Sequence, residues 1–293
     1  MTKRKKGLIM VCLGASMWGG SGVAGQYLLQ DCGFSTVWLV VSRMLLAGCL
    51  FLLIDFALYR QNVFSIWKNK QDARDVLLFA IFGMLAVQYT YFACIQHGNA
   101  AAATILQYLM PVIIIGYTSL ATHKFPPGRE LLCVVMAIGG TFLLVTHGRL
   151  DTLSIPLAAL LWGLGSAFAA AFYTTQPKRL IRKWRATLIT GWGMLLGGLA
   201  LMPVCPPWQF SGTWSSAAAI TYAYIIIFGT VIAFGCYLGS IKYISPTETS
   251  LLGSIEPLSA IVFSILFLHA SFAPMDYLGT ALILSTVFVL AKK

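Results

Sequence analysis

The amino-acid sequence predicts an all-α membrane protein with ten transmembrane helices, arranged as two inverted five-helix repeats with both termini cytoplasmic. Three observations carry this: apolar runs of about 20 residues, basic residues confined to alternate loops, and an internal repeat at a fixed offset. Of the 293 residues, 58% are hydrophobic and 10% charged, with a mean hydropathy of +0.81. So few charges cannot cover a soluble domain of this length, and lipid must cover the rest.

The elements follow from length and punctuation. Lys3 to Lys6 and the apolar run behind them have the outline of a signal peptide. That run, 7–29, is too long for such a peptide and more spans follow, so it is expected to be an uncleaved first helix. The second span, 34–59, holds Arg43, the single basic residue well inside an apolar run. The third, 75–96, carries Gln88 and Tyr91, and the fourth, 99–121, opens on an alanine-rich stretch and contains Gln107 and Pro111. The fifth is 130–147, the sixth 152–174 with Trp162, and the seventh 186–204. The outer loop behind it, from Pro203 to Trp214, is expected to be short and exposed, with Trp208 and Trp214 as headgroup-level anchors. The eighth span is 216–240 with Tyr237, the ninth 246–268 with Glu256 and Pro257, and the tenth 274–291.

Orientation rests on the 20 Lys and Arg residues. With the N-terminus in the cytoplasm, 18 fall on that side: at 3–6, 60–74, 124 and 129, 178–185, 242, and 292–293. Only Arg149 lies outside, and one missed span would scramble the later loops. The same pattern accounts for the net charge of +11 without nucleic acid. The seven cysteines form no metal-type spacing and are expected to be reduced packing residues.

Sliding the sequence by 146 residues lays Phe82-Gly83 on Phe228-Gly229, Tyr91 on Tyr237, Leu106 on Leu252, Pro111 on Pro257, His123 on His269 and Phe142 on Phe288. An offset of 144 lays Trp18-Gly19 on Trp162-Gly163. The halves are therefore 1–147 and 148–293, within one integrated transmembrane domain. Five is odd, so the second half enters from the opposite face and the topology is inverted.

These residues resemble the drug/metabolite transporter superfamily, and within it the EamA-type members, over nearly the whole chain. The matching pieces are Leu13 to Gly19, Leu160 to Gly163, Ser42 to Ala47, Asn99 to Pro111, and Ser254 to Leu258. The resemblance implies a ten-helix protein of the inner (plasma) membrane that moves amino acids, other metabolites or drugs, often outward. Members often carry Leu-Gly-Glu at the ends of helices four and nine. This chain has Ala121-Thr122-His123 and Leu268-His269 there, so a coupling role for those glutamates does not carry over.

The residues themselves nominate a mid-membrane site. Glu256 lies where an ionised side chain costs several kcal/mol unless paired or hydrated, so it reads either as a proton-coupling or amine-binding carboxylate or as a structural partner for Arg43. Arg43 in turn can clamp a substrate carboxylate, pair with Glu256, or brace neighbouring carbonyls. Pro111 and Pro257 each remove a helical hydrogen bond at matching depths, which points to a cavity between broken helices. Gln107, Gln88, Tyr91 and Tyr237, with Trp18 and Trp162, can line an amphipathic pocket. The alternative for the tryptophans is packing, each ring beside a glycine that admits a neighbouring helix.

Other features read as structural. Ser245-Pro246-Thr247-Glu248 matches a capping box, and His123 and His269 occupy equivalent helix ends. Ala15/Gly19, Gly193/Gly197 and Gly235/Gly239 have the spacing of close helix contacts. The remaining acids, Asp31, Asp55, Asp72, Asp75, Glu130, Asp151 and Asp276, fall singly at helix ends or in loops.

The leading function is a secondary transporter, an exporter of amino acids or amphipathic metabolites, with the bilayer and a small-molecule substrate as partners and the proton as a candidate co-substrate. The alternative is a multidrug-type or facilitative transporter without proton coupling. No nucleotide-binding loop, HExxH, GxSxG or aspartate cluster for metal and diphosphate occurs, which argues against ATP drive and intramembrane catalysis. No cofactor or metal is expected. The sequence is silent on oligomeric state.

Overall fold

The computed structural model describes residues 2–149, 153–244 and 246–291, and all regular structure in them is helical. In chain order the helices are α1 (Lys3–Asp31), α2 (Thr36–Tyr59), α3 (Lys70–His97), α4 (Ala100–Thr122), α5 (Gly128–Thr146), α6 (Leu157–Lys183), α7 (Ala186–Leu201), α8 (Ser216–Ser240), α9 (Pro246–Gly253), α10 (Ile255–Leu268) and α11 (Pro274–Ala291). Seven of them, α1 to α6 and α8, are long and apolar enough to cross a membrane, whereas α7, α10 and α11 are apolar but shorter. The start of the sixth expected span, Ser245 of the capping box, and Lys292 and Lys293 lie outside the described residues. Glu248, expected to cap a helix, reaches Arg4 on α1 at 2.9 Å.

Helix ends follow local chemistry. Asn99 opens α4 by accepting the Ala102 amide at 2.8 Å, and Ser215 opens α8 by accepting that of Ala218 at 3.1 Å. His123 and His269 close α4 and α10 in the left-handed conformation, with φ of 51° and 50°. The matching histidines are thus C-cap residues, positions where the chain must reverse its hand to leave the helix.

The two-repeat architecture is visible in the packing. α1 lies against α8 and α10, and its repeat mate α6 lies against α3 and α4. α2 packs on its own mate α7, and α5 on α11. Exchanging each helix for its mate returns the same set of contacts. Gly19 and Gly163 enforce this closeness: a Cβ on Gly19 would lie 2.5 Å from the Glu256 carbonyl, and one on Gly163 would strike the Leu106 side chain. Of the three small-residue pairs, Gly235/Gly239 lies on the part of α8 that packs against α1, but only Gly239 faces that neighbour. A Cβ on Gly235 would meet nothing within 4 Å, and one on Gly239 only the tip of Met10.

Two features depart from the sequence expectation. The loop from Pro203 to Trp214 is partly folded back: Trp38 donates to the Pro207 carbonyl at 2.7 Å, and Trp214 stacks on Phe210 beside Phe34, although Trp208 remains exposed. The acids at the helix ends are not single either. Arg185 reaches Asp55 at 2.6 Å, Arg179 contacts both Asp72 and Asp75 at 2.8 Å, and Lys183 reaches Asp72 at 2.5 Å. Asp276 accepts His147 Nε2 at 2.8 Å. These partners sit more than 100 residues apart, where spacing carries no signal.

Candidate substrate cavity

The cavity begins with two interrupted helices. α4 loosens at Tyr108 and Leu109 and resumes at Met110, so that Pro111 opens a new helical segment. The α9–α10 pair breaks at Ser254 in the same way, with Pro257 in the first turn of α10. Proline is well tolerated there, because first-turn amides have no helical acceptor. Each break lies a few residues before its proline, so the helices are divided rather than bent at the proline itself.

Between the breaks lies a cavity of about 290 Å³ to which both repeats contribute. Trp18 of α1, Arg43 of α2, Gln88 and Tyr91 of α3, Gln107 and Pro111 of α4, Tyr237 of α8 and Glu256 of α10 all line it. Trp162 does not reach it. Its ring meets Tyr89 edge-on at 5.5 Å, on the flank between α6 and α3, as the packing alternative expects. Pro257 is buried behind Glu256 and does not line the space either. Tyr108, Ser21, Phe234 and Tyr173 were not singled out from the sequence but are part of the wall.

Arg43 is almost fully buried and spends its guanidinium on α8 and α3. Nε donates to Thr230 Oγ1 at 2.9 Å, Nη1 to Gln88 Oε1 at 3.2 Å, and Nη2 to the Gly229 carbonyl at 3.4 Å, while the group lies 5.1 Å over the Phe92 ring. The Gly229 carbonyl is available because α8 widens into a π-helical turn over Ile227–Ile232, where the Ala233 amide bonds to Phe228 and Thr230 and passes Gly229 over. α3 has a π-helical turn at Phe79–Leu85, which contains the matching Phe82-Gly83. Such turns cluster at functional positions because they free a backbone group. The possible Arg43–Glu256 ion pair is not formed: the guanidinium is directed at α8, and no cation lies within ion-pair distance of Glu256 among the described residues.

Glu256 is half-buried and projects from the first turn of α10, where the helix dipole favours a carboxylate. Its nearest hydrogen-bonding neighbour is the Tyr108 hydroxyl, at 3.5 Å from Oε2. That hydroxyl has one proton and gives it to the Gly253 carbonyl at 2.7 Å. Gly253 ends α9 at the break, and Pro257 four residues on has no N–H to offer its carbonyl, so Tyr108 of the first repeat satisfies it.

The rest of the wall is aromatic and polar. Trp18 contacts Phe234 and Tyr237, both at 4.9 Å between ring centroids. Tyr91 shares a hydrogen bond with Thr104 at 2.8 Å, and Gln107 donates to Ser166 at 2.8 Å. The Ser21 hydroxyl is buried on this wall without a hydrogen-bond partner among the described residues. The arrangement can hold one small amphipathic molecule, with a carboxylate at one side and rings around it.

Comparison with known proteins adds three findings. The sequence profile of the EamA-like transporter family matches residues 5–146 and again 157–292. The chain is 40% identical over 291 residues to the "Uncharacterized inner membrane transporter YicL" of Salmonella typhimurium, covering 99% of this chain and 97% of that one. It is 24% identical to the "Uncharacterized transporter sll0355" of Synechocystis over 94% of this chain and 87% of the relative. A solved crystal structure superposes with a TM-score of 0.63 over 98% of this chain and 96% of that chain at 15% identity, a likeness of fold alone.

Proposed function

Because the chain belongs to the EamA-like transporter family, we propose that it is a secondary transporter that exports small metabolites, such as amino acids or amphipathic compounds, by alternating access around the central cavity. It is a multi-pass inner-membrane protein. In this reading α9 and α10 together make the ninth span. Ten spans then form two inverted halves, 1–147 and 148–293, with both termini cytoplasmic, as the one-sided Lys and Arg distribution supports.

One observation carries the reading: the cavity lies where α4 of one repeat and α9–α10 of the other are both interrupted, and residues of both repeats line it. A site held between two bodies that can rock against each other is what alternating access requires. Glu256 is the candidate coupling group, because it is an accessible carboxylate with no ion-pair partner among the described residues.

The test is flux in proteoliposomes for a panel of labelled amino acids and one amphipathic cation, with and without an imposed pH gradient. Wild type should accumulate at least one compound in response to the gradient, and Glu256→Gln should lose that response. Gradient-independent flux retained by the variant would make the protein a facilitator. Absence of flux for every compound would refute transport of these classes.

A further inference from the structure

We infer that the cavity selects organic cations with one amine and an aromatic or apolar body over zwitterionic amino acids, with Glu256 as counter-ion to the ammonium and Trp18, Tyr237 and Tyr108 as the surrounding rings. The inference rests on the transporter reading above and names the substrate class for that same site.

The first argument is charge balance. Among the described residues, Glu256 is the sole acid in the cavity wall. A carboxylate partly withdrawn from water gains from a partner charge, and the described residues provide none within ion-pair distance. Tyr108 has already committed its proton to Gly253, and its 3.5 Å separation from Oε2 is at the limit of a hydrogen bond. A bound ammonium would supply both the charge and the missing donors. The Ser21 hydroxyl, without a partner among the described residues, offers a further oxygen acceptor on the same wall.

The second argument is the rings. Trp18 and Tyr237 meet at 4.9 Å with their planes 44° apart, and Phe234 closes on Trp18 edge-on. Tilted rings beside a carboxylate attract a cation by their quadrupoles and cover its apolar body at the same time. A cavity of about 290 Å³ holds one ring and a short chain.

The third argument excludes the competitor. An amino acid would need a cation for its carboxylate, and among the described residues Arg43 is the sole cation in the wall. Arg43 is 5% exposed, its donors serve Thr230, Gln88 and the Gly229 carbonyl, and its face lies on Phe92. Receiving a carboxylate would require giving up the joint between α2 and α8.

Four ligands that share a phenylethyl body separate the alternatives: phenethylamine, phenylalanine, 3-phenylpropionate and 2-phenylethanol, titrated calorimetrically into the detergent-purified protein at neutral pH. Phenethylamine should bind at least tenfold more tightly than the other three. Glu256→Gln should weaken it at least tenfold, and Trp18→Leu severalfold. Phenylalanine binding as well as the amine, undiminished amine affinity in Glu256→Gln, or binding of none of the four would each overturn the inference. The ligand ranking on wild type alone decides the matter should a variant fail to fold. Proteoliposome flux is scored separately: an amine that binds but is never moved refutes transport and leaves the selectivity standing, whereas preferred flux of phenylalanine does the reverse.

Discussion

Arg43 joins three acceptors through one planar fork, and the geometry makes its replacement by lysine a sharp test. Lysine keeps the charge but is a point donor on a flexible stem, and it cannot reach Thr230, Gln88 and the Gly229 carbonyl together. Hydrogen bonds to a charged group contribute about 1.5–3 kcal/mol each, so Arg43→Lys should lower stability by about 2 kcal/mol, measured as the denaturation midpoint in mixed micelles. Thr230→Val removes one acceptor from the same joint and should cost about 1 kcal/mol. The two losses should add to less than their sum, because both act on one network. Full stability in Arg43→Lys together with lost ligand binding would instead identify a substrate clamp. Arg43 was conspicuous in the sequence because a basic residue inside an apolar run has few explanations. Its partner Thr230 lies 187 positions away, and no local pattern could have named it.

At the scale of the element, the symmetric prolines were legible and their consequence was not. The sequence placed Pro111 and Pro257 at matching depths and implied freed carbonyls. It gave no sign that the Gly253 carbonyl would be taken by the hydroxyl of Tyr108, a residue with no tyrosine as its repeat mate. This bond links the two interrupted helices and admits a double-mutant test. Tyr108→Phe leaves a buried carbonyl without a donor and should cost about 1–2 kcal/mol. Pro257→Ala restores a backbone N–H four residues after Gly253, so the same Tyr108→Phe change should then cost less than half as much. Equal costs in both backgrounds, measured by denaturation, would show that the proline does not set the role of Tyr108. The tryptophans teach the same lesson. Trp18 and Trp162 are indistinguishable in sequence, each beside a glycine, yet Trp18 lines the cavity and Trp162 packs on Tyr89, because only side-chain direction around the helix separates them.

Over the whole molecule, the apolar runs, the one-sided charges and the repeat were legible because each is a property of a short window or of a fixed offset. The pairing of charges between repeats is not such a property. The five basic residues at 178–185 count toward orientation, but three of them also bind Asp55, Asp72 and Asp75 of the first repeat. Asp55 is fully buried and receives three bonds from Arg185, Nη2 to Oδ1 at 2.6 Å and Nε to Oδ2 at 2.9 Å and to Oδ1 at 3.2 Å, with the Thr187 hydroxyl at 2.5 Å. The partners are unequal: the Arg185 side chain is 23% exposed and also rests on the Tyr59 ring at 4.5 Å, so it retains water and a stacking surface when the acid is removed. Arg185→Gln therefore strands a buried carboxylate and should cost about 3 kcal/mol or more, while Asp55→Asn keeps an acceptor for Thr187 and should cost about 1–2 kcal/mol. The double variant removes the stranded charge and should be more stable than Arg185→Gln alone. That order, read from denaturation midpoints of the purified protein, separates a clasp between repeats from a set of independent surface charges, for which both single changes would stay within about 0.5 kcal/mol and the double variant would equal their sum.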